Sequence, residues 1–174
     1  MKSYVSQDYA KAAQSFVKAA ERGDASAQFV LGNMYENGEG VKQDYQQAMS
    51  WYRKAAELGN ASAQSNLGTM YEHGEGAVKD LRQAMSWYLK AAMQGNAQAQ
   101  SNLGVLYAKG EGGVPHDYIE ADKWFRIAES GGIEKAKEQR DFVERFMTSA
   151  QLDEAQRRVR DWASEWIKAH PIAR

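Results

Sequence analysis

The sequence predicts an all-α fold, a solenoid of helical hairpins, from three observations. The first is internal repetition. Asp44 to Ala56 recurs 36 residues later as Asp80 to Ala92, both carrying Gln-Ala-Met-Ser-Trp-Tyr, and Ala63 to Gly68 recurs as Ala99 to Gly104. A fixed period in the thirties marks stacked supersecondary units, each touching mainly its neighbours. The second is apolar spacing. Ala63, Leu67, Met70 and Tyr71 fall at i, i+4, i+7 and i+8, and Ala84, Trp87, Tyr88, Ala91 and Ala92 form a second stripe of the same kind. The third is composition: two prolines in 174 residues, with glycines grouped between the periodic stretches.

Each unit therefore reads as helix, Gly-rich turn, helix, Gly-Asn turn. Asp24, Asn60 and Asn96 each follow a glycine and open a first helix, because a short polar side chain there accepts from the free amides of the first turn. Asp8, Asp44, Asp80 and Asp117 open the second helices, with Gln83 in capping-box position after Asp80. The last interval, Asp80 to Asp117, is one residue longer. It places an insertion, Gly113 or a neighbour, in a turn that tolerates it. Gly32, Gly68 and Gly104 lie inside helical patterns. A mid-helix glycine costs about 1 kcal/mol against alanine, so close approach of an adjacent helix is expected at each.

The units assemble into a single domain over 1–174. It comprises a partial unit at 8–24, repeats at 25–60, 61–96 and 97–132, and capping helices at 133–174. In the last stretch Ile133 to Met147 forms a first helix with a charged outer face. Thr148 to Gln151 breaks it, and Leu152, Ala155, Val159, Trp162, Ala163 and Trp166 make one more stripe. Terminal units with a polar outer face are what an array needs for solubility.

Composition excludes several function classes. Lys plus Arg number 22 and Asp plus Glu 23, a net charge of −1, so neither nucleic acid nor anionic lipid is implied. No cysteine is present, which removes disulfides and thiolate chemistry. No apolar run approaches a membrane span, so membrane insertion is not expected. Met1 to Gln7 lacks the apolar stretch of a signal peptide. As given the chain reads as cytoplasmic, and as periplasmic or secreted if a signal has been removed.

The residues Ala63-Gln64-Ser65-Asn66-Leu67-Gly68, Met70-Tyr71, Gly74-Glu75-Gly76, Asp80, Ala84, Trp87-Tyr88, Lys90-Ala91-Ala92 and Gly95-Asn96 resemble the Sel1-like repeat, a tetratricopeptide-like bacterial family. The resemblance covers about residues 8 to 136. It implies a right-handed α/α superhelix with first helices on the concave side, and adaptor roles in protein–protein interaction without enzymatic activity. It also implies, as alternatives, an immunity protein that neutralises a secreted toxin or, from a cysteine-rich subgroup, a cell-wall or β-lactam hydrolase. The absence of cysteine separates this chain from that subgroup.

Residues with chemical potential are few. His73, His116 and His170 lie in different units with no partner at metal-ligand spacing, so no metal or cofactor is expected. The Gly-Glu-Gly turns follow helices and carry an acid, which argues against phosphate binding. Trp51, Trp87 and Trp124 sit on second-helix stripes and read as core. The concave face is expected to bind a protein or peptide. Its candidate residues are Ser26, Phe29, Asn33, Glu36 and Asn37 in one unit, then Ser62, Ser65, Thr69, Glu72 and His73, then Gln98, Ser101, Val105 and Lys109. Phe29 is either a hot-spot aromatic or a packing residue beneath the N-terminal helix. Trp162 and Trp166 are the alternative anchor, or a cap on the last unit.

The N-terminal helix from Asp8 to Arg22 carries Tyr9, Ala12, Ala13, Phe16 and Ala20 on one stripe, with only Met1 to Gln7 before it. That face is expected to be uncovered. A weak homo-oligomer through it is one expectation, and loss of native upstream residues is the other.

Overall fold

A computed structural model describes the backbone of residues 2–171 and the side chains of residues 10–171. Among the described residues there are nine α-helices and no strand: α1 (Lys2–Glu21), α2 (Ala25–Asn37), α3 (Tyr45–Glu57), α4 (Ala61–His73), α5 (Leu81–Met93), α6 (Ala97–Lys109), α7 (Tyr118–Ser130), α8 (Glu134–Glu144) and α9 (Ser149–Ala169). They fall into two compact units, 1–87 and 88–174, divided inside α5. No helix among the described residues is long and apolar enough to cross a membrane.

Helix ends follow the expected chemistry with one exception. Asp24, Asp44, Asn60, Asn96 and Asp117 each cap with a side-chain oxygen on first-turn amides, and Asp80 does the same for Arg82 and Gln83. Gly38, Gly74 and Gly110 close the first helices in the left-handed conformation, where an L side chain is strained. Asp8 does not open a helix. It lies inside α1, which runs continuously from Lys2. No glycine turn precedes Asp8 as one precedes Asp44 and Asp80, so nothing in Lys2 to Gln7 stops the helix.

In the first unit α1 packs on α2, α2 and α3 form a hairpin, and α4 packs on α3. Ala13 and Ala20 are buried, and Phe16 and Val17 lie half-buried against Ala27, Leu31 and Met34 of α2. The α1 stripe is therefore covered in large part by the helix that follows it. Tyr9 lies outside the described side chains. A second cluster joins Ala48, Tyr52, Ala55, Ala63, Leu67 and Met70. Tyr52 is fully buried against Gly32: a Cβ there would meet the Tyr52 ring, with Cγ at 3.0 Å and Cδ1 and Cε1 nearer. The glycine offsets its helical cost by admitting that ring.

The second unit repeats this geometry. Phe125 of α7 lies against Gly104 of α6, its Cε1 2.5 Å from where a Cβ would be. The α6–α7 hairpin carries α8 on its far side, and Ala121, Phe125, Ala128, Ala136 and Val143 form the core. α9 begins with a full capping box between Thr148 and Gln151, then packs on α7. Arg158 donates to Glu120 of α7 at 2.6 Å, and Trp162 meets Trp124 edge to face at 6.3 Å.

The tryptophan expectation holds in part. Trp124 is buried, but Trp51 and Trp87 are half-buried. Trp51 packs against the α1–α2 cluster and carries Lys54 Nζ 3.9 Å from its ring centre. The full burial expected of them falls instead to Tyr52, Tyr88 and Phe125, the next residue in each helix.

A buried amide also repeats. Gln28, Gln64 and Gln100 donate from Nε2 to the carbonyls of Ala20, Ala56 and Ala92 at 2.9, 3.0 and 3.1 Å. Each ties a first helix to the end of the second helix before it, where main-chain carbonyls lack helical partners.

Candidate functional site

The first helices of the first unit bring together part of the expected set. Tyr52 rises from α3 between α2 and α4. Its hydroxyl has two acceptors within reach, Asn33 Oδ1 at 2.6 Å and the Glu36 carboxylate. Asn66 of α4 donates to the same Asn33 oxygen at 3.3 Å. Burial, then the hydrogen bond and charge of Glu36, push the Tyr52 hydroxyl well above its ordinary value, so it stays a donor. The result is a polar tie that links α3, α2 and α4. Phe29 does not pack beneath α1. It is half-buried against the α3–α4 cluster, its ring 5.9 Å from that of Tyr52.

The other positions divide by exposure. Ser26, Asn37, Ser62 and His73 are exposed, and Glu72 is half-buried. Thr69 is half-buried and donates to Ser65 O at 3.3 Å, while His73 Nδ1 lies 2.9 Å from Thr69 O. Ser65 is 5% exposed, so it belongs to the packing and not to an open lining. A small polar side chain suits an open lining, yet it suits a crowded helix contact equally well.

In the second unit Gln98 and Lys109 are exposed, Val105 is half-buried, and Ser101 is corrected in the same way as Ser65. Ser101 Oγ donates to Gln139 Oε1 of α8 at 3.2 Å. Between α6 and α8 lies a notch of about 330 Å³ walled by Val105, Ala108, Phe125, Phe142 and Val143, with Lys109, Glu138 and Gln139 completing its lining. Phe142 and Phe146 are 55% and 58% exposed and meet edge to face at 5.3 Å, and Phe146 stacks on Tyr118 at 5.6 Å. Apolar surface thus continues from the notch around the end of α8.

Trp162 and Trp166 lie apart from this face. Trp162 is held between Trp124 and Trp166, and Trp166 stacks on His170 at 4.4 Å. Both line a cleft of about 320 Å³ with Gly95, Gln100, Ile127, Ser130 and Gly131. The arrangement docks α9 and leaves Trp166 half-exposed over Gly95.

Sequence reasoning missed a charged cluster between α7 and α8. Asp122 is fully buried and accepts from Arg126 Nε at 2.6 Å, and Arg126 also reaches Glu144 at 2.6 Å. Arg140 pairs with Glu129 and Glu144. Burial pushes the Asp122 carboxyl up to about 6 against the opposing pull of Arg126. A signal existed: Asp122 occupies the second-helix position held by Met49 and Met85 in the other repeats. The notch residues Phe125, Glu138, Gln139, Phe142 and Val143 were also missed, because they lie beyond the inserted residue. Among the described residues no group of three His, Asp or Glu could hold a metal.

Comparison with known proteins bears on this geometry. No curated protein matches the chain. A Sel1 repeat protein from Oxalobacter formigenes is 33% identical, with a TM-score of 0.65, over 75% of this chain and 58% of its own. A protective antigen of uropathogenic Escherichia coli with an SLR fold is 29% identical, with a TM-score of 0.58, over 94% of this chain and 44% of its own. The chain thus spans about half the length of each. An immunity protein of Pseudomonas aeruginosa is 21% identical with a TM-score of 0.39, covering 95% and 77%, and at that distance it carries no functional argument. The Sel1 repeat matches residues 2–24, 25–60, 61–96 and 97–133, just over three quarters of the sequence and all of its hairpins up to α7, and on that match the chain belongs to the Sel1 repeat family.

Proposed function

We propose that this chain is an interaction module that holds a protein or peptide partner on the faces of its first helices. Sel1 repeat proteins generally mediate protein–protein interaction. One observation carries the proposal to this face. The packing positions of the first helices barely change between repeats: Ala27, Ala63 and Ala99, Leu31, Leu67 and Leu103, Gly32, Gly68 and Gly104. The more open positions of the same helices vary: Ser26, Ser62 and Gln98, Asn33, Thr69 and Val105, Asn37, His73 and Lys109. A scaffold kept constant beneath a varied surface suits recognition, because each repeat then contributes different chemistry to a partner.

Photo-crosslinking residues installed singly at Ser26, Ser62 and Gln98 test this, with Ser50 and Ser86 on second helices as controls; all five are exposed. The expected result is one protein captured from the first-helix positions and identified by mass spectrometry. Its purified form should then bind in titration. Equal capture from Ser50 and Ser86 would place the interaction elsewhere.

A further inference from the structure

The space between successive first helices exists in both units, and the two are lined with opposite chemistry. Allowing for the inserted residue, Tyr52 corresponds to Phe125, Asn33 to Val105, Glu36 to Ala108 and Asn66 to Gln139. In the first unit these four side chains form the polar tie across the space. In the second unit the hydroxyl is gone and so are both of its acceptors. Gln139 turns instead to Ser101. The loss is coordinated: a phenylalanine beside a retained Glu36-type carboxylate would strand a half-buried charge, and a tyrosine without acceptors would strand a hydroxyl. What remains is the 330 Å³ apolar notch, left open to solvent, with Phe142 standing at its edge where Thr69 stands in the other unit.

Two charges flank it. Lys109 and Glu138 line the notch. Among the described residues neither side chain has an ion-pair or hydrogen-bond partner. In repeat register Glu138 stands level with Ser101, near the start of α6, and Lys109 is its last residue. The apolar wall of Val105 and Ala108 lies between those levels.

We infer that the notch between α6 and α8 receives one bulky apolar side chain of a partner segment, with a basic group toward Glu138 and an acidic group toward Lys109. The inference rests on the interaction-module reading and adds the chemistry of the ligand. Burying a single Leu, Met or Phe supplies affinity, since apolar area leaves water on both sides. The two rim charges fix direction along the helices more than they add affinity.

The test uses the full chain and synthetic peptides with a central Leu, Met or Phe, carrying Lys on one side and Glu on the other, in both orders. Methyl NMR reads Val105, Ala108 and Val143. The expected result is that one charge order shifts these methyls and binds about tenfold more tightly than the reverse. Lys109→Glu should abolish that preference, and as an exposed substitution it leaves the fold intact. A second variant, V105N with A108E, F125Y and Q139N, rebuilds the polar tie that the first unit already folds with, and it should lose binding to all the peptides. Methyls unmoved by any peptide, or a charge preference untouched by Lys109→Glu, would overturn the inference. Methyl shifts confined to Val30, Met34 and Thr69 of the first unit would overturn it too, while leaving the interaction-module reading standing. Concentration-dependent shifts without peptide would show that a second copy fills the notch, and would also overturn it.

Discussion

Tyr52 lies where a side chain on Gly32 would be. The helical hairpin of α2 and α3 closes on this contact, and Phe125 makes the same contact with Gly104. Gly32→Ala should therefore destabilise the first unit by about 1–3 kcal/mol, as overpacking does, despite alanine's better helix propensity. Gly104→Ala should act alike in the second unit. Urea unfolding measures both. An unchanged or raised midpoint would mean that the ring moves aside freely.

Gln100 donates to Ala92 O from a side chain that is 2% exposed, and the Gly95 amide serves the same carbonyl at 3.0 Å. Gln100→Ala should cost about 1 kcal/mol, the net worth of one buried hydrogen bond, since the carbonyl keeps its second donor. Hydrogen exchange should quicken first at Asn96 and Ala99, the amides of the adjoining turn. An unchanged unfolding midpoint would show that water replaces the amide.

Asp122 gives a pH signature with a definite sign. Its folded-state carboxyl, raised to about 6, lies above the ordinary unfolded value, so between about pH 4 and 6 the native state holds a proton that the unfolded chain has released. This group's contribution to stability therefore falls as pH rises through that window and is flat above it. Asp122→Asn removes the ionisation while leaving Arg126 its partner Glu144. The variant's stability at pH 7.5 relative to pH 4.5 should exceed that of the parent. Glu154, pulled down to about 2 by Arg157 and Arg158, has the opposite sign, is present in both proteins and cancels in the difference. Parallel profiles for the two proteins would show that Asp122 stays ionised throughout.

Trp162 fastens α9 to α7 through Trp124. Trp162→Ala should cost about 2 kcal/mol, less than a fully buried tryptophan because the ring is half-buried. Exchange should accelerate along α9 while α6 and α7 keep their protection. Uniform acceleration throughout residues 97–130 would show that α9 unfolds only with the rest of its unit.

Much of this architecture was legible in the sequence for local reasons. A cap such as Asp44 or Asn60 acts on amides two or three residues away, so its identity alone places a helix start. The departure at Asp8 has the same origin: this aspartate lacks the glycine turn that gives its counterparts their non-helical backbone. The site was less legible because its chemistry depends on pairs distant in sequence. Ser65 and Ser101 read as open surface until the neighbouring first helix is in place. The Tyr52–Glu36 and Arg126–Glu144 contacts span 16 and 18 residues. The notch joins Val105 to Phe142 across an insertion that breaks the repeat register, so an apolar replacement of the polar tie is visible only once the two spaces are superposed.

The glutamine ties bear on the order in which the chain can fold. Each spans eight residues, from Gln28 to Ala20, Gln64 to Ala56 and Gln100 to Ala92, and the helices that pack most closely are consecutive in sequence. Low contact order of this kind favours rapid folding, because little loop entropy is lost before contacts form. A nascent chain leaving the ribosome could thus latch each first helix onto the second helix already formed, and add hairpins in the order of synthesis.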